Sequence, residues 1–185
     1  MTVGSAVLCG LVFLVSAVSK VRSAADYAEF AASVPAFGVP ARWTRLFAAV
    51  TVGAELVIAV LLLPAAVLVP VGIGAGRWLA GLGLVLAVGL LGVLTAAVWR
   101  AVGRGSGAAC RCFGPARTVL GTRHVVRNAL LLLVAVLGAG TVFTVDSVAL
   151  AVAGVAAAVG VIGAVLVIRF DDLAELFAGP VPSGR

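Results

Sequence analysis

Apolar residues gather into five long stretches separated by short polar breaks, at about residues 3–19, 46–69, 78–99, 129–145 and 148–168. A hydrocarbon layer of about 30 Å needs roughly 20 apolar residues per helix, because lipid offers the backbone no hydrogen-bond partner and each segment must satisfy its own peptide groups. Each stretch therefore predicts a membrane-crossing α-helix. The third is the most sharply bounded, with Arg77-Trp78 at one end and Trp99-Arg100 at the other, and Trp43 precedes the second. Aromatic and basic residues at such ends are expected at the headgroup level. Only Asp146 and Ser147, beside a Thr-rich bend, divide the last two stretches, which predicts a tight hairpin.

The first connection carries a pattern of its own. Ser23 followed three residues later by Asp26 has the form of a capping box, and Tyr27, Phe30, Ala31 and Val34 follow at i, i+3, i+4, i+7 spacing before Pro35. This predicts a short amphipathic helix on the membrane surface, serving either as the roof of a cavity or as a packed connector. After the fifth stretch, Asp171, Asp172, Leu173, Leu176 and Phe177 suggest one or two further helical turns, ended by Gly179-Pro180. Small residues recur at close-approach spacing: Ala156, Gly160 and Ala164 in the fifth stretch, and Gly81, Gly83, Gly89 and Gly92 in the third. They predict helix contacts within a bundle. The expected architecture is an all-α polytopic transmembrane helix bundle with four core spans and a fifth C-terminal span. It divides into a four-helix membrane domain over 1–145, an added helix with its extension over 146–178, and a tail over 179–185.

Composition agrees with this pattern: 63% of the 185 residues are apolar and 11% charged, with a mean hydropathy of +1.27. Such a chain cannot clothe a water-soluble globule, and it is far too apolar for disorder. The net charge of +6 carries no basic stripe interleaved with aromatics, so nucleic acid is not an expected partner. The charge reports orientation instead. With five spans, 12 of the 13 basic residues fall on one side of the bilayer, and Arg77 alone falls on the other. By the positive-inside rule that side is cytoplasmic, which leaves the N-terminus outside the cell membrane. The first stretch has no basic residues before it and Lys20 and Arg22 after it, the pattern of a retained anchor rather than a cleaved leader.

Chemistry is concentrated in few residues. Cys110 and Cys112 form Cys-Arg-Cys-Phe-Gly-Pro in the long third loop, whereas Cys9 lies inside the first span as a small apolar filler. Two thiols one residue apart can close a small strained ring, and strained disulfides exchange readily. Arg111 between them favours the thiolate that attacks a disulfide. Two bystander thiols and half of a metal site are the competing readings. Zinc wants four ligands, His124 is the only imidazole nearby, and no metal is expected. His124 reads either as a helix-entry residue at the headgroup level or as a proton donor to a departing thiolate.

Glu55 is the other outlier, a carboxyl about nine residues into the second span. An acid at that depth costs several kcal/mol unless it is protonated or partnered, so it marks either a functional cavity or a bond that fixes helix register. Candidate partners are Lys20, Arg127, Asn128, Ser16 and Thr51.

Taken in order, residues 12–20 closing the first span, Glu55 in the second, Cys110-Arg111-Cys112-Phe113-Gly114, and Arg127-Asn128 opening the fourth resemble the MauE (methylamine utilisation) family and its DoxX-like relatives. The resemblance covers roughly residues 1–143 and leaves the fifth span outside it. It implies a multi-pass membrane protein supporting redox maturation of exported proteins, with a thioredoxin-like partner and a disulfide-containing client. The namesake client is the small subunit of methylamine dehydrogenase. It also implies that Cys110 and Cys112 are the redox dithiol and Glu55 a cavity residue. A cytoplasmic dithiol fits electron input from a reducing thioredoxin pool. Moving electrons across the bilayer would then require Cys9, a quinone or a conformational change. A non-catalytic assembly factor or small-molecule carrier using the Glu55 cavity is the competing expectation.

Overall fold

The computed structural model describes residues 1–103, 122–144 and 149–170. Six α-helices follow in order: α1 (Thr2–Val21), α2 (Ala24–Ser33), α3 (Thr44–Leu68), α4 (Gly74–Gly103), α5 (Thr122–Thr141) and α6 (Leu150–Ile168). Two 3-10 turns, Val34–Phe37 and Ala41–Trp43, link α2 to α3. All but α2 are long and apolar enough to cross a membrane. Among the described residues there is no strand.

Helices α1, α3, α4 and α5 close a ring in which each packs on the next, and α6 lies outside it against α1. The core they share includes Cys9, Phe13, Ile58, Leu62, Leu84, Leu91 and Leu131. The outer surface is apolar too: Val60, Val85, Val93, Val155 and Val159 are all exposed. Water would penalise that surface, whereas lipid does not, so the four-plus-one bundle is a membrane protein in the plain physical sense.

Glycine sets the closest approaches. A methyl group on Gly83 would stand 2.6 Å from a Leu62 methyl, and one on Gly10 would stand 2.9 Å from Leu63, so α4 and α1 both press their bare backbones onto α3. On α6, a methyl at Gly160 would meet the Gly4 carbonyl oxygen at 2.6 Å, the small-residue packing expected of the fifth span. Gly89 and Gly92 depart from expectation, because nothing lies within 4 Å of a methyl at either.

The surface helix forms as its cap dictates. The Ser23 hydroxyl oxygen accepts the Asp26 backbone N–H at 3.0 Å, and the chain leaves α2 through the 3-10 turn that contains Pro35. Gly38 then reverses direction at φ 91°, in the left-handed region that favours glycine. At the fourth span the helix is displaced from the apolar stretch: α5 begins at Thr122 and ends at Thr141 rather than running over 129–145. Its first turns hold the buried polar residues His124, Arg127 and Asn128, which hydropathy alone reads as flank. The α5–α6 connection accordingly spans 142–149, longer than a two-residue hairpin, and 145–148 lie outside the described residues.

The helices alternate in direction, so Lys20, Arg22, Arg42, Arg45, Arg100, Arg127 and Arg169 belong to one end of the bundle and Arg77 to the other. At the Arg77 end, Trp78 packs on Phe143 with ring centroids 5.3 Å apart.

Candidate functional site

The site grows from the antiparallel packing of α1 on α3. Ser16 and Lys20 are one helical turn apart on α1 and share the face that meets α3 at Glu55. The Lys20 ammonium donates to both Glu55 carboxylate oxygens at 2.9 Å and to the Ser16 hydroxyl at 2.6 Å. The Ser16 hydroxyl in turn donates to Glu55 Oε1 at 3.0 Å. Lys20 is 3% exposed and Glu55 2%. Desolvating both charges is costly, and only bidentate geometry with the serine bridge makes the pair tolerable in a hydrocarbon setting. Lys20 Nζ also lies 5.1 Å above the Phe30 ring of α2, which ties the surface helix to the pair.

Beside the pair is a cavity of about 170 Å³. Phe30 and Ser33 of α2, Val34 and Phe37 of the following turn, and Val39 roof it, so the surface helix is a roof as well as a connector. Its walls come from α3 (Phe47, Thr51), α4 (Leu90, Val93, Leu94, Ala97, Val98) and Asn128 of α5. Phe47 and Val93 are also exposed on the outer, lipid-facing surface and form its rim. A second space of about 30 Å³, lined by Ser16, Glu55 and Asn128 among others, lies deeper and is large enough for one water.

A family model described as methylamine utilisation protein MauE matches residues 1–141. The chain belongs to the MauE family. No curated protein and no solved structure matches it significantly. The family match ends with the last residue of α5, so the MauE portion is the four-helix ring with its surface helix, and α6 is packed onto it from outside.

Within this MauE bundle the structure sorts the residues expected from sequence. Lys20, Glu55 and Ser16 are joined directly, and Asn128 faces both cavities with Glu55. Thr51 lines the cavity but donates to the Phe47 carbonyl on its own helix at 2.8 Å, not to Glu55. His124 enters α5 in its first turn and is buried there, and Arg127 is buried one turn further on. Cys9 is wholly enclosed by the core, as a filler should be. Cys110, Arg111 and Cys112 lie outside the described residues. No group of three or more metal-binding side chains occurs among the described residues. Sequence reasoning missed Ser33, Phe37 and Phe47 as cavity residues. Their only signal was position, because the turn after α2 and the entry to α3 fold over the Lys20 end of α1.

Proposed function

We propose that this MauE protein is a membrane component of the thiol–disulfide redox maturation of exported proteins, and that Cys110 and Cys112 are its dithiol. One observation carries the reading: the segment holding the cysteines leaves α4 at Gly103 and re-enters α5 at Thr122, and both junctions belong to the end of the bundle where Val98 and Asn128 wall the cavity. Cys110 is seven residues from Gly103, so its tether reaches at most about 25 Å from that point. Arg111 favours the thiolate. In the working cycle a reduced thioredoxin-like partner attacks the Cys110–Cys112 disulfide. Two electrons and two protons pass to this chain, and the partner leaves as its own disulfide. The reopened dithiol hands the same two electrons and two protons to an acceptor in or across the membrane. Family membership supports the client class, exported disulfide-containing proteins. The charge distribution supports a cytoplasmic dithiol and an N-terminus outside the cell membrane.

A second reading has its own support in the buried Lys20–Glu55 pair beside an open cavity: a non-catalytic assembly factor or small-molecule carrier. Two variants separate them in a deletion strain complemented with the full chain. The dithiol reading expects Cys110→Ser to abolish client disulfide maturation. The carrier reading expects Cys110→Ser/Cys112→Ser to be normal and Glu55→Gln to be inactive.

A further inference from the structure

Asn128 is 5% exposed, and its side chain lines both cavities. An amide facing such spaces takes its hydrogen-bond partners from what fills them, a water in the smaller one and a polar ligand atom in the larger. The partner's chemistry follows from the walls. The three ammonium hydrogens of Lys20 are taken by the two Glu55 oxygens and by Ser16, so the ion pair presents no uncompensated charge to an anionic or cationic head. Ser33 and Thr51 spend their hydroxyl hydrogens on the Phe30 and Phe47 carbonyls of their own helices, and the rest of the lining is aliphatic and aromatic, including Phe37, Phe47 and Leu94. At about 170 Å³ the space is smaller than a pocket that encloses a whole drug-sized ligand. It suits one ring, with any attached chain left outside. The rim residues Phe47 and Val93 face lipid, so entry is sideways from the bilayer.

We propose that this cavity binds the headgroup of an isoprenoid quinone, with the Asn128 carboxamide hydrogen-bonded to one ring oxygen and the tail running out past Phe47 and Val93 into lipid. The amide N–H serves a quinone carbonyl and the amide oxygen serves a quinol hydroxyl, so both redox forms are accommodated. As a ligand site this stands apart from the dithiol. As the membrane acceptor for the dithiol's electrons it rests on that reading.

The test uses the full chain in lipid nanodiscs with an azidoquinone carrying a decyl tail, and an azidophenyl-decane lacking the quinone as control. Peptide mapping should place the quinone label on the cavity segments of α3, α4 or α5, and excess decylubiquinone should compete it away. Asn128→Leu, which removes the amide but keeps the bulk, should lower labelling about tenfold. Ala97→Phe, which fills the space from α4, should abolish it, so the two variants probe the site from different helices. Equal labelling of both variants, labelling without competition, or equal labelling by the tail-only probe would overturn the proposal, the last assigning the cavity to acyl chains. The same labelling in Cys110→Ser/Cys112→Ser separates the two ideas. Retained binding with normal client maturation sinks the dithiol and keeps the site, whereas lost maturation in Cys110→Ser with no quinone labelling of the native chain does the reverse.

Discussion

Removing one member of the Lys20–Glu55 pair is the perturbation whose size the structure fixes best. Both charges are almost fully enclosed, and the contact is bidentate with a serine bridge. An exposed pair of this kind would be worth at most about 1 kcal/mol. Here Lys20→Met leaves a carboxylate, and Glu55→Leu an ammonium, enclosed in the bundle without its bidentate partner, a loss of about 3–5 kcal/mol each. Replacing both by apolar residues removes the charges together with their desolvation cost, so Lys20→Met/Glu55→Leu should lose less than about 2 kcal/mol. The signature is therefore strong non-additivity: the double variant is more stable than either single one. Equilibrium unfolding of the four proteins in mixed micelles with increasing dodecyl sulfate, followed by circular dichroism, gives the cycle. Single variants costing about 1 kcal/mol or less, or a double variant losing the sum of the two, would refute the buried-pair account.

Three further outcomes follow from the packing and the charges. Gly160→Leu should destabilise by about 1–3 kcal/mol, because even its first side-chain carbon meets the Gly4 carbonyl oxygen, while Gly154→Ala, with open space around it, should be neutral or slightly stabilising by thermal denaturation. Cys9→Ala should leave client maturation intact, since a sulfur sealed in the core fills space and does not relay electrons; loss of disulfide formation in cells would contradict that. In a Cys110→Ser/Cys112→Ser background, an impermeant maleimide should label Ile73→Cys from outside the cell and Arg22→Cys only after permeabilisation, and the opposite order would invert the topology.

Much of the bundle was legible because lipid imposes one simple rule on each segment, and residues such as Leu62, Leu84 and Val155 obey it whichever neighbour they meet. The limits of that rule explain the discrepancies. His124, Arg127 and Asn128 read as a polar flank, yet tertiary contacts bury them and carry α5 further back than its apolar stretch begins. Spacing of small residues nominated Gly83 and Gly89 alike, but only the face turned toward α3 uses the missing side chain, and facing is a property of the assembled helices. The site was half visible. A carboxyl within a span announces itself, and Lys20 was one of several candidate partners. Selecting Lys20 required the register of α1 on α3, which brings together residues 35 positions apart. The aromatic roof needed the reversal at Gly38, a local turn whose consequence lies across the membrane surface.

The most direct test of the functional account is the oxidation state of Cys110 and Cys112 in living cells. Cells expressing the full chain are quenched in acid, free thiols are alkylated, disulfides are reduced and alkylated with a second mass tag, and the peptide containing Cys110 and Cys112 is read by mass spectrometry. The account predicts a fraction with both cysteines carrying the second tag, a fraction that grows when the thioredoxin pool is depleted, and a mixed disulfide between the native chain and a thioredoxin-like protein whose own resolving cysteine is replaced by serine. Two thiols that carry only the first tag under every condition, with no adduct trapped, would contradict it.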